Sequence, residues 1–243
     1  MLTQGLPGSS FYPEPAIPTG RLAAQTDQDV LNYLSKVELY EQQSPDSLWH
    51  KRALHFIGGT TPSDQIAFNA YMSNLKAIYK DTLIGGDVYS FYKTSTAPIS
   101  INTNDSINQL INQGVSLMTF FGHGSPTGFD QNIDAPSAYN NAPHIPFILA
   151  NSCLTGDVFS LNQVTSSEEW VLAPNNKGSI GFVATTAEGV AFQLYQYSQE
   201  LYRQFSFKNY GMPYAYCIKN TIKNLMAANF SNDSLIMQTC QEM

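Results

Sequence analysis

Five short apolar segments alternate along this chain with segments that have the periodicity of amphipathic helices. The apolar segments lie at 52–58, 87–93, 115–121, 146–151 and 178–185. Helices are predicted from Ser63 or Asp64 to 79, and at 104–113, 166–173, 190–205 and 212–228. Alternation of this kind favours a parallel sheet with right-handed crossovers and helices on both faces. We therefore expect an α/β fold, a three-layer sandwich with a mostly parallel central sheet.

The first part of the chain precedes this alternation. Residues 1–19 are rich in Pro, Gly and Ser and are predicted to be extended, and a helix is predicted over 26–41. The apolar residues of that helix, among them Val30, Leu31 and Leu34, fall mostly on one face and are expected to point inward. We divide the chain into residues 1–48, which pack on the main domain, and 49–243, the main domain itself.

Composition excludes several classes of protein. Hydrophobic residues make up 43% of the 243 residues and charged residues 13%, which is enough apolar material for a sizeable core. The net charge of −7, with 12 scattered Lys and Arg, argues against a nucleic-acid partner. No run of 18 apolar residues is long enough to span a membrane. Three cysteines are too few for a disulfide scaffold and lack zinc-site spacing.

Two of the predicted strands end in chemically unusual residues. The third ends in FFGHGSPTG, which places His123 between Gly122 and Gly124, and the fourth ends in LANSCLTGD, which places Cys153 where the strand stops. Functional sites in open parallel sheets form at the carboxyl ends of the strands. If these two strands are neighbours, His123 and Cys153 emerge at the same edge of the sheet.

This pair of residue types is suited to nucleophilic catalysis. A thiol becomes a strong nucleophile when a neighbouring base takes its proton, and imidazole does so near neutral pH. The N–H groups of Gly124 and Cys153 could then point at the oxyanion that develops on a substrate carbonyl. We predict that Cys153 is a nucleophile and His123 its general base and acid.

The simpler interpretation of each residue is structural. Free cysteine is among the most buried residue types, and GHG could be an ordinary turn. The other candidates for the site are weaker: His144 lies in a constrained PHIP turn, His55 is expected to be packed in the first strand, and Cys217 and Cys240 are expected to pack on the C-terminal helices.

The loop at 122–144, between the third and fourth strands, is the longest in the chain and contains Asp130 and Asp134. Loops of this length in compact domains are often functional. The two carboxylates could hold calcium, but they lack EF-hand spacing, and solvated loop carboxylates are the expected interpretation. The chemistry of a Cys–His pair requires no cofactor.

The chain resembles the gingipain-type cysteine peptidases, peptidase family C25, within the clan that includes the caspases. The resemblance is carried by LHFIGG, VSLMTFFGHGSPTG, PFILANSCLTGDVF and GSIGFVATT, in matching order and spacing from about Pro15 to the last helix. It implies a caspase-like fold, a Cys153 nucleophile, a His123 base and oxyanion amides from Gly124 and Cys153. Asp64 matches a position that binds a basic P1 side chain in arginine-selective members, although a helix N-cap is its simpler role.

The sequence departs from the family in two places. Members with a third, acidic residue that orients the histidine carry it just after the first strand, where this chain reads Ile57-Gly58-Gly59-Thr60. Arginine-specific members have a tryptophan after the fifth strand, where this chain reads AEGVAF at 187–192. The first departure leaves open what orients His123.

The resemblance also implies a setting for the chain. Polypeptides are the expected substrates, and the expected location is extracellular or at the cell surface, as in secreted peptidases and the sortase-like component of the type IX secretion system, although no signal peptide is recognisable at residue 1. We expect a catalytic domain cut from a larger parent protein with other domains. Three hypotheses follow: a cysteine endopeptidase, a sortase-like transpeptidase that uses the same acyl-enzyme, and a non-catalytic binding domain.

Overall fold

A six-stranded sheet covered by helices on both faces forms the centre of the protein. The computed structural model describes residues 17–81, 83–101, 105–159, 163–228 and 239–242. The strands are β1 Arg52–Ile57, β2 Asp87–Tyr92, β3 Ser100–Ile101, β4 Leu117–Phe121, β5 Gly124–Ser125, β6 Gly128–Phe129, β7 Gln131–Asn132, β8 Phe147–Asn151, β9 Gly181–Thr185 and β10 Thr239–Glu242. The α-helices are α1 Asp27–Glu41, α2 Pro62–Tyr79, α3 Asp105–Gln113, α4 Ser166–Val171, α5 Ala191–Arg203 and α6 Tyr214–Ala227.

The strand order in the main sheet is β10-β9-β8-β4-β1-β2. The five strands from β9 to β2 are parallel, and β10 pairs with β9 in the antiparallel sense. Every residue of β4, β8 and β9 is buried, as the almost continuously apolar segments predict for strands covered on both faces. The predicted α/β sandwich with a mostly parallel sheet is therefore confirmed.

Two hydrophobic cores lie on opposite faces of this sheet. On one face, which we call the α2 face, Phe68 of α2, Leu201 of α5 and Ile218 of α6 pack against the strands. On the other, the α3 face, Ile107 of α3 and Val171 of α4 do so. Burying side chains of this size stabilises the fold by about 1.5–3 kcal/mol each. Because alternate strand residues face opposite sides, position along a strand decides which face a side chain reaches.

Several sequence-based expectations need correction. Helix α2 begins at Pro62 with Thr61 as its N-cap, so Asp64 is the third helical residue and not the cap. The loop at 122–144 is not irregular throughout, because it contains β5, β6 and β7. Cys240 lies on strand β10 and not on a helix. Strand β10 escaped prediction because β-pairing at a sheet edge depends on a partner that is distant in sequence.

Helix α1 packs differently from the prediction. Val30, Leu31 and Leu34 are 41%, 58% and 50% exposed, whereas Lys36 is completely buried. The Lys36 amine donates to the carbonyl of Val171 at 2.7 Å, at the end of α4. Burial lowers the pKa of Lys36 to about 7.

No helix among the described residues is long and apolar enough to cross a membrane.

Lys36 should make stability depend on pH above neutrality. Its pKa is lower in the folded chain than in the unfolded one, so the unfolded chain binds more protons between about pH 7 and 10, and the free energy of unfolding should rise with pH there. The expected slope is on the order of 1 kcal/mol per pH unit. Urea denaturation at pH 7, 8 and 9 measures it. Lys36→Met should remove most of the rise, and an unchanged slope in the variant would show that the buried amine is not its source.

Candidate active site

The register between β4 and β8 determines where the two candidate catalytic residues lie. Phe121 pairs with Asn151 at the end of these parallel strands, and the Gly122 N–H donates to the Asn151 carbonyl at 3.1 Å. His123 and Cys153 each follow two residues after this last pair. The structure thus brings them, 30 positions apart in sequence, to the same edge of the sheet, where the His123 ring faces helix α2 and the Cys153 sulfur contacts Gly189.

The His123 side chain is held by helix α2. Its ring meets the ring of Phe68 edge-on at a centroid distance of 5.9 Å. Its Nε2 atom lies 3.3 Å from Oδ2 of Asp64, an ion pair when the imidazole is protonated. The side chain remains 50% exposed, so substrate can approach it.

The Asp64 carboxylate is fixed by the start of α2. Its Oδ2 accepts a hydrogen bond from the Thr61 N–H at 3.1 Å, and its own N–H donates to Thr61 Oγ1 at 3.1 Å, which together form a capping box. Partial burial acts to raise the pKa of Asp64, but the hydrogen bonds from Thr61 and His123 outweigh it and lower the pKa below its usual value. Asp64 therefore faces His123 as a carboxylate.

Cys153 lies at the start of a tight turn after β8 and is partly exposed. The Gly189 N–H donates to its sulfur at 3.4 Å, and the same sulfur lies 3.9 Å from the Gly189 carbonyl oxygen. The next residue, Leu154, has a φ of 61°, in the left-handed region that non-glycine residues seldom adopt. Its N–H donates to the carbonyl of Ala187 at 3.0 Å, which ties the turn to the segment after β9.

Gly124 packs closely against this turn. A Cβ atom at this position would lie 2.7 Å from Cβ of Ser152 and 3.0 Å from the carbonyl oxygen of Cys153, so only glycine fits without movement. In the β5–β6 hairpin, Gly124 pairs with Phe129, and the Asp130 N–H donates to the His123 carbonyl at 2.9 Å. Because bonded and non-bonded pairs alternate in antiparallel ladders, the Gly124 N–H points out of the hairpin.

Asp130 is not the solvated loop carboxylate that the sequence suggested. It is 4% exposed, and its Oδ2 accepts from the Gly59 N–H at 2.6 Å and from the Lys93 amine at 3.4 Å. Its Oδ1 lies where side chains of Gly58 and Gly122 would be, 2.1 Å and 2.3 Å from ideal Cβ positions. The sequence contained one indication that a buried group lies here. Gly58 and Gly122, which follow β1 and β4, have no side chains to fill this space.

Asp130 lies on the α3 face, because Gly58 follows Ile57, which faces the other way. It therefore sits on the opposite side of the sheet edge from the His123 ring. Among the described residues, no group of three His, Cys, Asp or Glu could hold a metal ion, and Asp134 accepts a hydrogen bond from Asn108 at 3.2 Å. The described residues therefore contain no ligand set for the calcium ion that the sequence suggested.

The remaining candidates lie away from this edge. His55 is completely buried in β1 and bonded to the Tyr202 hydroxyl at 2.9 Å, as expected for a packed histidine. His144 lies against Trp49, at a ring distance of 5.1 Å, and beside Gly114 at the amino end of β4. Cys217 is completely buried on α6, and burial raises its pKa to about 11. Gly189, the sulfur's hydrogen-bond donor, has no sequence signal that distinguishes it.

The contact between Gly58 and Asp130 predicts a specific coupling. Gly58→Ala should lower the free energy of unfolding by about 1–3 kcal/mol, because the new methyl group displaces the Asp130 carboxylate. In an Asp130→Ala background the same change should cost far less, since the space is then empty. Urea denaturation of the four chains of this double-mutant cycle measures the coupling. An equal cost in both backgrounds would contradict this account of the strand ends.

Comparison with known proteins connects this geometry to a family. The structure is similar to that of the Arg-specific cysteine proteinase gingipain R (RgpB), with a TM-score of 0.72 and 18% identity, over 92% of this chain and 53% of that one. It is also similar to the complex of Porphyromonas gingivalis RgpB pro- and mature domains, with a TM-score of 0.70 and 18% identity, over 92% and 54% of the two chains.

A third solved structure, described as a protease, has a TM-score of 0.73 and 17% identity, over 94% of this chain and 55% of that one. The chain thus spans about half the length of these structural relatives. No curated protein matches it by sequence. The sequence profile of Peptidase family C25 matches residues 5–243. The chain therefore belongs to peptidase family C25, and its sheet has the caspase-like architecture of the gingipain structures.

Proposed function

We propose that this chain is the catalytic domain of a cysteine endopeptidase in which Cys153 attacks the peptide carbonyl and His123 transfers the protons. The observation that carries the proposal is the pairing of Phe121 with Asn151, since His123 and Cys153 each follow two residues after this pair at the same edge of the sheet. Membership of family C25 supports the same class of reaction.

The reaction uses an acyl-enzyme intermediate. His123 takes the thiol proton, the Cys153 sulfur bonds to the carbonyl carbon, and the oxyanion that forms accepts hydrogen bonds from the N–H groups of Gly124 and Cys153. The C–N bond then breaks as His123 protonates the leaving amine, which leaves a thioester. His123 next takes a proton from water and the resulting hydroxide attacks the thioester. The C–S bond then breaks to release a carboxylic acid, and the imidazolium of His123 returns its proton to the Cys153 sulfur.

The substrate's direction follows from these roles. The group that protonates the leaving amine must lie beside the residues that follow the scissile bond. A pocket of about 250 Å³ adjoins His123 and Gly124 and is also lined by Pro98, Ile99 and Phe129. This pocket is the proposed place for the first residues of the leaving peptide.

The preference at P1 stays a prediction. A basic P1 side chain would find the Asp64 carboxylate, which is 29% exposed and next to His123. The segment after β9 offers Val190 and Phe192, which are 49% and 54% exposed, where arginine-specific members have a tryptophan. These side chains would contact the acyl half of a substrate near Cys153.

The setting of the domain is also part of the proposal. A larger, exported parent protein would be consistent with structural relatives about twice as long, one of them solved as a complex of pro- and mature domains.

Transfer of the acyl group to an amine instead of water would use the same residues and would make the protein a transpeptidase. Adding an amine acceptor to the cleavage assay and looking for ligated product separates the two reactions.

Labelling with a peptidyl acyloxymethyl ketone tests the nucleophile. This reagent should modify Cys153 in the wild-type chain, and Cys153→Ala should be inert and lose at least about 10³-fold in cleavage of a peptide library. Cys217→Ala is the matched control, because that buried thiol should neither react nor be needed. Peptide mapping by mass spectrometry identifies the modified residue. Modification of Cys217 or Cys240 alone, or full cleavage by Cys153→Ala, would refute the proposal.

A further inference from the structure

The imidazole of His123 needs a partner that fixes its tautomer and orientation if it is to move protons, and the strand end beneath it supplies no carboxylate. Strand β1 ends in Ile57, which is buried in the apolar core of the α2 face, followed by Gly58 and Gly59. The buried carboxylate nearby, that of Asp130, lies on the α3 face and is bonded to the Gly59 N–H and to Lys93. It is therefore not available to the ring.

Helix α2 supplies a carboxylate from another direction. Asp64 Oδ2 lies 3.3 Å from Nε2 of His123. The same helix places Phe68, one turn further on, with its ring edge-on to the imidazole. Two side chains of one helix thus hold the ring from two sides, one by a charge-assisted hydrogen bond and one by packing.

The Asp64 carboxylate is itself immobilised. Its Oδ2 also accepts the Thr61 N–H, Pro62 follows at the first helical position, and α2 is anchored by buried side chains such as Leu75. A carboxylate fixed in this way can orient a partner at little further entropic cost. This rigidity distinguishes it from an exposed ion pair between two flexible chains, which contributes little.

Building on the proposed function, we propose that Asp64 is a positioning residue: it accepts the Nε2–H of His123 and so leaves Nδ1 to exchange the proton with Cys153. The carboxylate also stabilises the imidazolium that forms when the thiol is deprotonated. This role is distinct from binding a basic P1 side chain, because it serves every substrate equally. In this role a side chain of helix α2 orients the imidazole, because the residues at the end of β1 carry no carboxylate.

Two roles for Asp64 predict different kinetics. For positioning, Asp64→Asn should lower kcat by about tenfold or more, by a similar factor for peptides that differ only in carrying Arg or Ala at P1. Asp64→Glu should recover part of the loss. If Asp64 instead binds the P1 side chain, the loss should be confined to the Arg peptide and should appear mainly in KM, and that result would overturn the inference.

The chain contains a matched control for the loss of helix capping. Asp29 is the third residue of α1 and forms the same capping box, with its Oδ2 accepting from the Thr26 N–H at 2.9 Å. Asp29→Asn removes an equivalent capping interaction in another helix, so it should leave kcat unchanged. Thermal melting of both variants shows whether each remains folded. A loss of kcat in Asp29→Asn as large as in Asp64→Asn would contradict a positioning role.

A second readout needs no turnover. The rate at which chloroacetamide alkylates Cys153, followed by mass spectrometry from pH 5 to 9, reports how much thiolate is present. Other titratable groups close to this edge include the Asp130–Lys93 pair, on the opposite face, Glu188, next to Gly189, and Asp157, in the turn after Cys153. Asp64→Asn leaves all of these unchanged.

In the wild type, alkylation should persist below pH 7 because imidazolium stabilises the thiolate, and Asp64→Asn should reduce the rate at pH 6 by about tenfold. A wild-type profile of an ordinary thiol would refute the Cys153–His123 pair, and with it the proposed function. A wild-type profile of an ion pair that Asp64→Asn does not change would refute only the positioning role.

Discussion

The parallel pairing of β4 with β8 determines where His123 and Cys153 lie. The ladder ends with Phe121 opposite Asn151, and the next hydrogen bond joins Gly122 to Asn151. His123 and Cys153 are each the second residue past this pair, so the register places both just beyond the same edge of the sheet. A slip of one residue in this register would direct His123 and Cys153 to opposite faces. The buried, apolar residues of both strands resist such a slip.

The two faces of the sheet edge carry different carboxylates. On the α3 face, Asp130 bonds the Gly59 N–H and Lys93 while its backbone N–H binds the His123 carbonyl, so one residue joins the ends of β1, β2 and β4. On the α2 face, Asp64 and Phe68 contact the imidazole. The structural carboxylate of Asp130 and the carboxylate of Asp64 beside the ring therefore lie on opposite sides of the sheet edge.

The sequence predicts the sheet and the positions of His123 and Cys153 because both depend on local pattern and on the edge at which parallel strands end. It cannot predict the contacts of Asp130, because a carboxylate in a loop rich in Gly and Asn has the same local appearance whether it is solvated or buried. Its ion-pair partner, Lys93, is 37 residues away in sequence. Helix α1 shows the same limit: its apolar residues suggested a buried stripe, but docking through Lys36 to the end of α4 decides which side faces inward.

A crystal structure of the chain with a peptide aldehyde bound would show whether Cys153 is the nucleophile and His123 its partner. We expect a covalent bond between the Cys153 sulfur and the aldehyde carbon. We also expect the resulting oxygen to lie within about 3 Å of the N–H groups of Gly124 and Cys153, with the His123 Nδ1 atom facing the sulfur. An aldehyde bound elsewhere, or a Cys153 sulfur left unmodified while the imidazole points away from it, would rule out the proposed catalytic pair.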